Sequence, residues 1–279
     1  MPNGYLLIQK FKQEASLLRR WAAFASAVLC VGGAAPITDK SCTNPQALGV
    51  ARTLEINTAG GVHFGRFQYA STVPLGPREV VLTFDDGPRG ALTRSVLASL
   101  AAECTKATFF MIGRNAAADP TTARAVALAG HTIGHHSMTH PAPMTMIPPA
   151  RAIADIAAGE KAVRNALGDQ QHRFARGFFR YPGLWNPPDV DRWLNESSIG
   201  VFGIDVHARD WDIRDPDELI NITMTRLEQL GAGMLLLHDI QPVTVKALPR
   251  LLRTLKARGW QVVHLVEAKA KTALRPTAD

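Results

Sequence analysis

From Val80 onward, short apolar runs rich in β-branched and aromatic residues alternate with stretches whose apolar positions recur every three or four residues. The runs span 80–84, 107–112, 131–134, 174–180, 200–206, 233–237 and 260–266, and they predict strands. Between them Leu92, Val96, Leu97 and Leu100 share one helical face, as do Ile153, Ile156, Ala157 and Val163, and later Leu248, Leu251, Leu252 and Leu255. Asp215-Pro216 followed by Glu218 reads as a helix start, and Gly231 and Gly259 stand where helices should stop. About seven β-α units in succession imply parallel strands covered by helices, in a barrel or an open doubly wound sheet. Both architectures collect functional groups at the C-terminal ends of their strands. Residues 36–79, rich in Gly, Pro, Thr and small polar residues, predict a lead-in of loops and short strands, with 80–267 as one catalytic-sized unit and 268–279 as a tail.

The first 35 residues have a different character. A basic stretch ends at Arg19-Arg20, an apolar run covers Trp21 to Val31, and small residues Gly32 to Ala35 follow. This is the pattern of an export signal, and the run is too short to span a bilayer comfortably. An interfacial or buried N-terminal helix is the alternative, because Pro36 would hinder cleavage after Ala35. Composition adds little to this picture: 279 residues, 46% hydrophobic and 20% charged, describe an ordinary globular chain. The net charge of +7 and pI near 9.6 raise the question of an anionic partner. The signal-like segment carries Lys10, Lys12, Arg19 and Arg20 against Glu14, and the remaining surplus is not clustered with aromatics as nucleic-acid binding needs. Cys42 and Cys104 would survive cleavage, as one disulfide or as two free thiols, while Cys30 lies in the apolar run. Secreted, periplasmic or cell-envelope placement is therefore the expectation, with no stable membrane span in the mature chain.

Polar, chemically able residues fall just after the apolar runs. The first run ends in Thr83-Phe84-Asp85-Asp86-Gly87-Pro88. Persisting strand geometry would point the two carboxylates in opposite directions, one to hold a metal and one to act on water; a plain turn is the other reading. Four of the nine histidines, His131, His135, His136 and His140, lie within ten residues. The spacing of His136 and His140 allows two imidazoles to meet and, with a carboxylate, suits zinc or a similar divalent ion. No Glu follows the first of them as in the helical zinc-protease signature, so a base must come from elsewhere, and Asp85 is the natural choice. Arg180-Tyr181-Pro182-Gly183 brings a guanidinium suited to clamping a carboxylate, or simply a solvated charge, and a backbone N–H. The segment from Asp205 to Trp211 sets carboxylates beside a large ring, and Leu236-Leu237-His238-Asp239 puts an imidazole directly after a strand.

With these five segments in order, residues 80–267 resemble the polysaccharide deacetylases of carbohydrate esterase family four, which include chitin, chitooligosaccharide, peptidoglycan and acetylxylan deacetylases. The resemblance implies a distorted (β/α)7 barrel. It implies one divalent metal, zinc first and cobalt, nickel or manganese as alternatives, held by Asp86, His136 and His140. Asp85 matches the family's general base, His238 its general acid with Asp210 beside it, Arg180 the residue orienting Asp85, and the Gly183 N–H an oxyanion donor. Trp211 and Leu236 match the walls of the acetyl pocket, and Tyr181 and Trp185 are further candidate substrate contacts. The expected reaction is hydrolysis of the N-acetyl group of N-acetylglucosamine units, with an O-acetyl esterase or a non-catalytic glycan-binding protein as alternatives. Two departures stand out: His207 replaces an acid three residues before Asp210, and Gly183 replaces a usual aromatic, a loss that Trp185 could restore.

Overall fold

The computed structural model describes residues 42–268. The export-like segment 1–35, and all of the tail but Ala268, lie outside them. Ten strands are described: β1 (Arg52–Ile56), β2 (His63–Phe64), β3 (Glu79–Asp85), β4 (Thr108–Met111), β5 (Thr132–His135), β6 (Phe174–Phe179), β7 (Gly200–Phe202), β8 (Val206–His207), β9 (Gly233–His238) and β10 (Gln261–Glu267). Every described strand pair is parallel. Seven of the strands follow one another as β8-β9-β3-β4-β5-β6-β7, a barrel wall that does not close between β7 and β8. This is the distorted α/β barrel expected, reached through two differences from the sequence pattern. The run 200–206 is two short strands, because the chain breaks at Gly203–Asp205. The last run is not a wall strand: β10 meets β3 only at Gln261 and Val262, then pairs with β1 from Val263 to Glu267.

The helices are α1 (Gly90–Ala102), α2 (Gly113–Ala118), α3 (Pro120–Leu128), α4 (Pro149–Leu167), α5 (Pro188–Glu196), α6 (Pro216–Leu230) and α7 (Pro242–Ala257). The start of α6 follows its sequence signals: the Asp215 side chain accepts the Asp217 N–H, Pro216 takes the first turn, and Gly231 ends the helix at φ 77°. The apolar stripe of α4 is turned from the predicted one: Ala157 is exposed, and Ala152, Ile156, Gly159 and Val163 are buried. Gly159 sets that rotation, since a Cβ there would lie 2.3 Å from the Ser137 carbonyl carbon. The helix thus packs its backbone directly on the His136–His140 loop.

Alternation along β3 sorts the interior into two compartments. Val80, Leu82 and Phe84 face the helices, in a core shared with Leu100, Leu235, Leu237 and Leu251. Val81 points into the barrel, where Phe110, Phe178, Phe202, Met234 and Leu265 fill its lower part. Thr83 and Asp85, next on the inward face, begin the polar upper layer. A disulfide between Cys42 and Cys104, with Cα atoms 5.6 Å apart, ties the lead-in to the end of α1.

Candidate active site

The polar residues converge at the C-terminal mouth of the barrel. Asp85, the last residue of β3, is buried and accepts from Arg180 Nη1 at 2.7 Å. Arg180 ends its run fully buried. Its remaining donors go to the Thr83 hydroxyl (2.8 Å), the Phe202 carbonyl (2.8 Å) and the Gly203 carbonyl (2.9 Å), and the guanidinium lies 4.2 Å above the Phe110 ring. The contact to Asp85 is therefore a single Nη1 bond, not the two-pronged clamp the sequence suggested, because the gap between β7 and β8 supplies two carbonyls that compete for the guanidinium. Burial lowers the Arg180 pKa and the Asp85 charge opposes that shift, so the cation is retained.

Asp86 leaves the strand with φ 74°. Strand geometry ends there, so the adjacent carboxylates do not oppose one another; both flank one imidazole, with His136 Nε2 3.8 Å from Asp85 Oδ2 and 3.5 Å from Asp86 Oδ1. His140 Nε2 is 3.3 Å from the same Asp86 oxygen. The loop that brings His140 back turns through left-handed Ser137 and His140, at φ 63° and 57°. Asp155 of α4 holds it by accepting from the N–H groups of Met138 and Thr139 and from the Thr139 hydroxyl. Asp86, His136 and His140 offer ligand atoms all within 4.8 Å of one another. Asp86 Oδ1 is buried with no hydrogen-bond donor among the described residues. An orphaned carboxylate oxygen between two imidazole nitrogens suits a cation. His136 Nδ1 meets the Arg180 carbonyl at 2.7 Å, which aims Nε2 at the cluster, and burial lowers its pKa. The other two clustered histidines are core residues. His131 accepts the Ala107 N–H, and His135 lies against Phe179.

Across the mouth, His238 Nδ1 meets Asp210 Oδ1 at 2.8 Å. Asp210 is itself fully buried and accepts from the His238 N–H and the Thr244 hydroxyl, both at 2.6 Å. Burial alone would lower the His238 pKa, but the Asp210 hydrogen bond and the charges of Asp210, Asp86 and Asp85 outweigh it and raise the value to about 9. Leu236 follows the inward alternation of β9 one layer below His238. The Trp211 ring meets His238 edge-on at 5.6 Å and stacks on His207 at 5.4 Å. His207, where an acid was expected, thus backs the tryptophan. Arg226 donates to its carbonyl at 2.7 Å, and burial with the charges of Arg226 and Arg209 pushes its pKa down to about 4.

Gly183 has φ 62°, and a Cβ there would sit 3.2 Å from Trp185 Cδ1. The half-exposed Trp185 therefore fills the space a side chain at 183 would occupy. Tyr181 is a correction: its side chain is buried in the core beside Phe179 and donates to Asp191 at 2.8 Å, so its ring does not face the mouth. Asp155, Gly159 and Thr244 were not expected at the site; the only signal for them is helical position, which becomes meaningful once the packing is known.

The polysaccharide deacetylase family model matches residues 72–197. A family 4 carbohydrate esterase from Streptomyces lividans, solved in complex with acetate, is 30% identical with a TM-score of 0.57, over 68% of this chain and 92% of that one. The chain belongs to the polysaccharide deacetylase family. As a member of that family it is a hydrolase, and its relatives act on acetylated glycans. The chitooligosaccharide deacetylase of Bradyrhizobium sp. (strain ANU 289) is 29% identical over 201 residues, 67% of this chain and 89% of the relative. The Bdellovibrio bacteriovorus peptidoglycan deacetylase Bd3279 is 31% identical with a TM-score of 0.69, over 78% of this chain; the deacetylase described here spans 59% of that protein.

Proposed function

We propose that the protein hydrolyses the N-acetyl group of N-acetylglucosamine units in a glycan, releasing acetate and leaving a free amine. The observation that carries this reading is the division of labour between adjacent carboxylates. Asp85 is committed to Arg180, and Asp86 is turned to two imidazoles. Asp86, His136 and His140 would hold one divalent cation, zinc first and cobalt, nickel or manganese as alternatives. When bound, the cation supplies positive charge that polarises the acetyl carbonyl and lowers the pKa of water beside it. Asp85, ion-paired with Arg180, takes the proton of the attacking water. The Gly183 N–H donates to the oxygen that becomes negative. His238, kept protonated by Asp210, gives its proton to the departing amine. Trp211 and Leu236 enclose the acetyl group, and Trp185 offers a face to a sugar ring.

Acetate release from acetylated chitooligosaccharide should stop on chelation, return with zinc, and fall about a thousandfold in Asp85→Asn, within the range for losing a general base. Near wild-type activity in that variant would remove Asp85 from its role. We also infer that residues 1–35 direct export. The Cys42–Cys104 disulfide supports this, because such bonds persist in oxidising compartments. Fractionation of cells expressing the full chain should place it outside the cytosol, and finding it only in the cytosol with both thiols reduced would refute export.

A further inference from the structure

Beside the mouth lies a cavity of about 420 Å³ bordered by Arg214, Gln241, Pro242, Val243 and Lys246. Two of its lining residues hydrogen-bond the main chain of the Trp211 and His238 segments, each three residues away. Arg214 Nη1 donates to the Trp211 carbonyl at 3.1 Å, and the Gln241 N–H donates to the His238 carbonyl at 3.2 Å. Both lining cations are exposed, and among the described residues neither makes an ion pair. Three acids of the adjoining segment are engaged elsewhere: Asp212 with Arg209, Asp215 with the Asp217 N–H, and Asp217 with Arg250. Pro242 and the buried Val243 give the cavity an apolar floor, so it combines a surface for a sugar face with two charges that no residue of the segment answers.

We propose that this cavity is a subsite for a carboxylate carried by the glycan, so that the protein prefers acidic over neutral chains. The proposal rests on the glycan reading above and adds the class of glycan. Lys246 attracts the carboxylate from α7, and Arg214 does so from the segment behind Trp211. The consequence is a selectivity set by binding beside the reaction centre rather than by the chemistry within it.

The test compares chitopentaose with carboxymethylated chitopentaose by equilibrium titration of the full protein. The carboxymethylated chain should bind about fivefold more tightly, the scale of one partly exposed charge pair, with the advantage shrinking as salt is raised. Lys246→Glu should abolish or invert the preference, and Arg214→Lys should retain it. Charge reversal at exposed Lys161, on α4 and away from α6 and α7, is the control for net charge. Equal affinity for both chains, or a preference lost equally in Lys161→Glu and Lys246→Glu, overturns the subsite. Because the readout is binding, failure of the deacetylation reading is separate: acetate would be released from neither chain while the binding preference stood.

Discussion

His136, buried, and His238, partly buried, both face the carboxylate of Asp86, yet their protonation is driven in opposite directions. Each uses Nδ1 for a fixed partner and turns Nε2 toward Asp86, 3.5 Å away for His136 and 3.9 Å for His238. The difference is the partner. His136 Nδ1 meets the Arg180 carbonyl, a neutral dipole, and burial prevails, so the ring stays neutral with a lone pair at Nε2. His238 Nδ1 meets the Asp210 carboxylate, a full charge, and its pKa rises to about 9. Two identical side chains are thus driven to opposite protonation states, as the proposed roles of metal ligand and proton donor require, through one atom beyond each ring.

The largest break in this contrast comes from His136→Gln, which removes one of the three proposed ligand atoms. Metal content, read by elemental analysis, and activity should both fall to background, whereas the isolated fold should retain its far-ultraviolet spectrum. Asp210→Asn attacks the other side. The proposed general acid must be protonated, so the loss of the Asp210 charge should move the alkaline limb of the rate profile down from about 9 toward the ordinary histidine value, with a roughly fourfold loss at pH 7 from the smaller protonated fraction alone. Stability should respond in the same sense. In the metal-free protein the raised His238 pKa contributes roughly 3 kcal/mol below the unfolded value near 6.5, and this is lost as pH rises through about 9. Denaturant midpoints from pH 6 to pH 10 should fall for the wild type and flatten for Asp210→Asn; an unmoved limb and parallel midpoints would show that Asp210 only packs. Thr244→Val is the mildest change. It deletes one of the bonds to Asp210 Oδ2, and should cost about 1 kcal/mol of stability with metal content unchanged.

Several parts of this arrangement were legible in the chain. The runs at 80–84 and 233–237 became β3 and β9 almost residue for residue, because strands flanked by helices on one side and a filled lumen on the other must be apolar for their whole length. The helix bounds at Asp215 and Gly231 were legible for a local reason, since a side-chain cap and a left-handed glycine act within one turn. The rotation of α4 was not, because its determinant is the backbone of Ser137, about twenty residues away. Tyr181 misled for a related reason: its place in the Arg180–Gly183 segment is local, but Asp191 decides where its hydroxyl goes.

By itself the sequence determined the order of strands and helices, the placement of polar residues at strand ends, and the family through five spaced motifs. Those follow from chain-local rules of period, capping and spacing. Only the tertiary structure decided that both carboxylates flank one imidazole, that Arg180 shares its donors between Asp85 and the gap carbonyls, that Trp185 takes the space above Gly183, and that His207 backs Trp211. Each depends on atoms from separate segments meeting within a few ångströms, where burial and a neighbouring charge set the behaviour of a group that its own sequence context leaves open.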